Sequence, residues 1–311
     1  MLVTNNSASA TGLTIAGTFD QRYTGNLTFN GGGTTLVSGA ITQGSGATNL
    51  VKTGDGTLVL SSASSSYTGT TTLRSGTIEI DANAPSGAVG ALGNSTSAII
   101  VNDASTTAAM NTSLLIGATG VTVGRAVTVG SQGDVTTLGG NIASGTGTFS
   151  GTVTLNKSVD LTAAGTSVIT FSGALTDGTG TANITKTGTG TVVLSNTGNN
   201  YDGATAINAG TLRLGSSQVI TNGSAVTVAT AAILDLNGFS ETIGSLAGSG
   251  NVTGTSGAPT LTAGQNNTST TFSGIISDST GTLALTKAGS GTMTLTGANT
   301  YDGATTVSAG T

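Results

Sequence analysis

One short aliphatic pattern, returning after a fixed interval, limits what this chain can fold into. Gly56-Thr57-Leu58-Val59-Leu60 is echoed by Gly76-Thr77-Ile78-Glu79-Ile80, 20 residues on. Gly190-Thr191-Val192-Val193-Leu194 is echoed by Gly210-Thr211-Leu212-Arg213-Leu214 at the same interval of 20. A third pair, Gly291 and Gly310, is 19 apart. Apolar-x-apolar alternation sends side chains to opposite faces, which is the signature of a strand. Gly and Asn between the runs supply the positive φ that tight corners need. A strand that comes back in phase after about 20 residues is one coil of a β-solenoid. This reading predicts an all-β chain with Leu58 stacked on Ile78, Leu60 on Ile80 and Leu194 on Leu214. Extended over residues 1–311 as one continuous segment, it gives about 15 coils and a rod about 70 Å tall, at about 4.8 Å per paired strand.

The echo sits inside a longer motif that occurs three times, near 50–80, 184–214 and 285–311. Each copy carries a Lys (Lys52, Lys186, Lys287), then a Gly-Thr strand opening (Gly56, Gly190, Gly291). A Tyr follows (Tyr67, Tyr201, Tyr301), and then a second Gly-Thr (Gly76, Gly210, Gly310). Thr170-Phe171-Ser172-Gly173 recurs upstream as Thr271-Phe272-Ser273-Gly274. Residues 81–165 depart most from the motif.

Composition agrees and excludes several chemistries. Aromatics are 3% and charged residues 7%, whereas a sandwich or propeller of this size carries more aromatics. A narrow solenoid core is filled by small and β-branched residues instead. The positive mean hydropathy, +0.22, and only two Pro residues argue against a disordered linker. With no Cys and no His there is no disulfide framework, no thiolate or imidazole metal ligand and no Ser-His-Asp triad. A net charge of −5 with eight Lys plus Arg lacks the cationic stripe that nucleic acid requires. No apolar run is long enough for a membrane-spanning helix. Met1-Leu2-Val3-Thr4 does not begin a signal peptide, and Thr311 falls inside the third copy. The expectation is a segment of a longer protein, with any export signal or anchor elsewhere.

The K-x-G-x-G-T-apolar…Y-x-G…G-T shape of the three copies resembles the autotransporter-associated β-strand repeat, or passenger-associated transport repeat. Ile233–Gly250 is similar to a segment that commonly lies between such repeats. The resemblance implies a right-handed parallel β-helix, displayed at or released from a bacterial outer membrane. It also implies secretion through a C-terminal β-barrel, and membrane contact only through that barrel, outside this segment. It implies scaffold rather than catalysis.

The three Lys read as solvated corner residues at one repeat phase, rather than a ligand ladder. The three Tyr read as rings covering the core at a wide corner with their hydroxyls at the surface, with sugar stacking as the alternative. Asp55, Asp202 and Asp302 read as turn residues. Asp235 and Glu241 are the candidate carboxylate pair, whereas glycan-cleaving β-helices cluster theirs. No cofactor or metal is expected. The leading reading is a non-enzymatic, extracellular stalk or filament body of a large surface protein, self-associating end to end or laterally. The alternatives are an adhesin whose face binds surface glycans or proteins and, more remotely, a polysaccharide-degrading enzyme.

Overall fold

Leu58 stacks on Ile78, and Leu60 on Ile80, across a parallel ladder between Thr57–Leu60 and Gly76–Ile80. All four are buried. The computed structural model describes residues 1–7, 12–22 and 24–311. Every regular element among them is a β-strand. The strands form parallel sheets wound as a β-solenoid of about 13 turns, with roughly 23 residues per turn. The chain divides into two units, Met1–Lys157 and Ser158–Thr311.

In the first unit one face stacks Leu13–Ile15, Thr35–Val37, Thr57–Leu60, Gly76–Ile80, Thr112–Ile116 and Thr136–Gly140 in that order. A second face stacks Gly25–Asn30, Thr48–Lys52, Thr71–Leu73, Ile99–Val101, Val127–Val129 and Val153–Leu155. The register puts Leu58, Ile78, Leu114 and Leu138 in one inward column, each with no exposed surface. In the second unit the column is longer: Ile169, Val192, Leu212, Leu234, Val252 and Ile276 pair in succession. All six are fully buried. Leu194 pairs with Leu214 beside it. Each such side chain contributes about 1.5–3 kcal/mol on leaving water. Identical phase in adjacent turns lets like residues nest without voids.

The motif is a two-turn module. Its Lys strand pairs with the strand after its Tyr, and its two Gly-Thr strands pair with each other. These turns are short, which is why the sequence interval of 20 understates the mean. Intervening turns spend more residues at corners, so that Thr35 meets Leu58 and Thr112 meets Thr136. The largest departure lies between Gly76–Ile80 and Thr112–Ile116, which still pair directly. Here the chain leaves the ladder for residues 81–98 and again for 102–111, on either side of Ile99–Val101. A single bridge between Ala84 and Val123 touches the first excursion to the ladder.

The column makes a testable statement. Leu212→Ala should cost about 3 kcal/mol, because the turns above and below cannot collapse into the space. Hydrogen exchange should speed up at Val192–Leu194 and Leu234–Asp235 and stay unchanged in Met1–Lys157. Equal acceleration everywhere would contradict a stability built from neighbouring turns.

Candidate functional site

Backbone carbonyls at a solenoid corner point out of the ladder and have no strand partner, so something must satisfy them. In each motif copy the Lys does so. Lys52 Nζ donates to Thr53 O at 2.8 Å, Gly54 O at 2.5 Å and Ser75 O at 3.3 Å. Lys186 repeats the set on Thr187 O at 2.6 Å, Gly188 O at 2.8 Å and Ala209 O at 3.0 Å. Lys287 does so on Ala288 O, Gly289 O and Ala309 O at 2.6, 2.9 and 3.2 Å. Two acceptors belong to the Lys's own corner and the third to the next turn, so each ammonium clips two turns together. All three Lys are buried, not solvated as their corner position suggested. Burial pushes Lys52 and Lys186 down to about 8, with Asp55 opposing at Lys52, so both remain charged at neutral pH.

The clip explains the glycines. Gly210 has φ +61°, and a Cβ there would run into the Gly190 and Gly188 carbonyl oxygens. Gly76 is in the same position over Gly54, Gly56 and the Lys52 Nζ. Gly56, Gly190 and Gly291 lie against the carbonyls of the preceding turn. Nor do the Lys form a ladder. Within Ser158–Thr311 the face holding Ile184–Thr187 later holds Met293–Leu295, the Gly-Thr strand of the third copy. Lys287 sits on a different face, with Glu241–Ile243 and Thr260–Ala263.

The tyrosines also differ from their reading. Tyr67 and Tyr201 have no exposed surface, and their hydroxyls meet Thr71 Oγ1 and Thr205 Oγ1, each at 3.0 Å. Tyr301 makes the same contact with Thr305 at 2.7 Å but is half-buried. A buried phenol needs a partner, and a Thr four residues on is within reach. Burial raises the Tyr67 and Tyr201 hydroxyls above the usual phenol range.

Beside each buried Tyr lies a buried ion that repeat logic did not reveal. Near Tyr67 it is Arg125, which donates to Leu92 O at 2.7 Å, Thr71 Oγ1 at 3.0 Å and Ser97 O at 2.7 and 3.1 Å. It thereby pins the 81–98 excursion. Near Tyr201 it is Glu241, which accepts from the amides of Val219 at 2.9 Å, Ile220 at 3.3 Å and Thr242 at 3.1 Å. Burial pushes the Glu241 carboxyl up to about 7, against those three N–H groups. Glu241 and Asp235 do not work as a pair. Asp235 is bound to Arg213 at 2.7 Å, Thr255 Oγ1 at 2.9 Å and the Asn237 amide at 3.0 Å. The turn aspartates serve their loops: Asp55 accepts from Ser75 Oγ at 2.8 Å, and Asp202 from the Ala182 amide at 3.3 Å. The Asp302 amide donates to Asp278 at 3.0 Å. Among the described residues no group of three or more acidic side chains is placed to hold a metal ion.

Outside the Tyr201 corner, between the stretches around Asn200 and Asn222, lies an open crease of about 690 Å³. Its walls are amides and hydroxyls with one carboxylate, Asp202, and no cation.

Two predictions follow from these contacts. Lys186→Met keeps the stem but orphans three carbonyls, and should cost about 2–4 kcal/mol. Faster exchange of the Gly190 and Thr211 amides would show it; unchanged exchange would deny the clip. Glu241 titrates near 7 when folded against an ordinary 4.5, so the folded state binds the extra proton between those values. Stability of the second unit should therefore fall as pH rises from 4.5 to 7 and level off above. Urea midpoints at pH 5 and 7.5 should show this slope, and Glu241→Gln should flatten it.

The geometry meets known proteins at the clipped corners. Residues 50–80, 184–214 and 285–311 match the passenger-associated-transport-repeat family. The chain is also similar to the adhesin BmaC autotransporter of Brucella suis biovar 1 (strain 1330), at 37% identity over 312 aligned positions. That alignment covers 97% of this chain but only 8% of the relative, so the chain spans a small part of that protein's length. No solved structure matches. Each copy of the repeat is built around a buried Lys clip on a parallel β-solenoid, and the chain thus carries three passenger-associated transport repeats in a segment similar to part of an autotransporter adhesin.

Proposed function

We propose that this chain is a non-enzymatic stalk segment of an autotransporter passenger, displayed at the bacterial cell surface. The observation that carries the reading is the Lys clip. The recurring charged residue of the motif is spent on tying one turn to the next, through three backbone carbonyls in each copy. The recurring Tyr and Gly are likewise committed to corner packing. Asp235 and Glu241, the carboxylates that the sequence reading paired, are engaged by Arg213 and by backbone amides. This supports scaffold over glycan cleavage, which needs carboxylates free to face a substrate. A structure stabilised turn by turn folds progressively as it emerges from a membrane and needs no disulfide.

A second reading, that the segment itself takes part in adhesion, is favoured by its similarity to part of an autotransporter adhesin. The two separate in the full-length autotransporter. Leu285 pairs with Leu261, so removing residues 261–284 takes out one turn and leaves later strands in register. A stalk should keep surface display and adhesion after this deletion. Removing 261–272 breaks the register and should abolish display. Loss of adhesion with intact display after the in-register deletion would refute the stalk reading and favour the second.

A further inference from the structure

We propose that the crease beside Tyr201 is a binding subsite for a neutral, uncharged oligosaccharide. The proposal goes beyond the stalk reading and does not depend on it. Three features carry it, beginning with size. About 690 Å³ accommodates two or three sugar rings and lies within the range of small-ligand sites.

The second feature is unspent hydrogen-bonding capacity of the right kind. Among the described residues, the Asn222 side chain takes no partner, and Asn200 uses its Oδ1 on the Asp177 amide at 3.1 Å, leaving Nδ2 free. Asp202 accepts from the Ala182 amide at 3.3 Å and its carboxyl lies in hydrogen-bond contact with that of Asp177, while Gln218 donates to Thr242 Oγ1 at 3.4 Å and keeps its Oε1 available. Sugar hydroxyls are both donors and acceptors, and planar amides with a carboxylate match them in pairs. Ile220 and Tyr201 lie beneath the crease with almost no exposed surface, so a ligand would be held through polar contacts. A sulfated or phosphorylated ligand would meet Asp202 with no cation to offset it.

The third feature is rigidity. The Gln218 wall is held in a left-handed conformation, φ +57°, and the two residues after it are fixed by Glu241. Asn199 ties the opposite wall to it, donating to Val219 O at 2.7 Å and accepting from the Leu175 amide at 2.8 Å. Polar groups fixed before the ligand arrives lose less entropy on binding.

The test uses the 311-residue chain on an array of neutral gluco-, galacto- and manno-oligosaccharides, with sialylated and sulfated members and neutral polar peptides alongside. Neutral members should bind, with dissociation constants on the order of 1 mM or below, read by NMR shifts at Asn200 and Asn222. Asn222→Ala should weaken binding at least tenfold; its side chain makes no internal bond, so folding is not at stake. Gly223→Trp should abolish binding by filling the crease, because a Cβ at Gly223 meets no atom within 4 Å. Failure of every neutral glycan to bind would overturn the proposal. So would binding indifferent to both substitutions, or a preference for anionic glycans or peptides.

Discussion

The whole structure depends on the satisfaction of corner carbonyls. In a parallel solenoid the strands look after their own amides, since each turn pairs with the next. At the corners the ladder stops, and the chain must turn through backbone that is half buried. An unsatisfied carbonyl there costs roughly 1–3 kcal/mol, and the cost recurs on every turn. Lys52, Lys186 and Lys287 answer it with one ammonium for three carbonyls, two in one turn and one in the next. A Lys has the reach and the three donors for this. An Asn or Ser has neither, and elsewhere in the chain such residues satisfy corners singly, as Asn156 does on Val129 O and Asn196 on Ser172 O.

This also accounts for what the sequence revealed and what it concealed. The inward column was legible, since Leu58 and Ile78 differ by one interval and alternate with Thr and Val. Phase alone places a side chain on the core face of a strand. A charge overrides that signal: Lys52, Lys186 and Lys287 stand in their strands two residues after the buried Leu50, Ile184 and Leu285, on the core phase. Lys52 therefore read as solvated although its ammonium is sequestered. The Tyr67 and Tyr201 hydroxyls are likewise internal, each meeting a Thr four residues on that the motif also carries. The interval of 20 falls below the mean turn length because the motif contains short turns.

Arg125 and Glu241 were out of reach for a different reason. Each occurs once, so self-comparison cannot flag it. Their roles become visible only when they are set beside their tyrosines. Arg125 holds the stretch over Tyr67 through its carbonyls, and Glu241 holds the stretch over Tyr201 through its amides. One corner uses a guanidinium and the other a carboxyl for the same purpose. The requirement is thus for a buried side chain with several donors or acceptors, matched to whichever backbone groups the local loop turns inward. Such a solution is invisible to composition and periodicity, and it lets loop conformations differ between otherwise similar modules.

That freedom bears on where a regular scaffold can acquire a surface feature. Over Tyr67 the excursion folds back tightly: Gly90 and Asn94 donate to Ser65 O and Tyr67 O, and a Cβ on Gly93 would strike the Tyr67 ring. Over Tyr201 the shorter stretch from Gln218 to Gly223 has no residues to spare for such closure, and a polar crease stays open beside it. The core beneath is indifferent to the difference, because Val192 and Leu212 pair as Leu58 and Ile78 do. A solenoid can therefore vary its corners at little cost to its column. A change of a few residues between two paired strands is enough to turn a sealed corner into an open one.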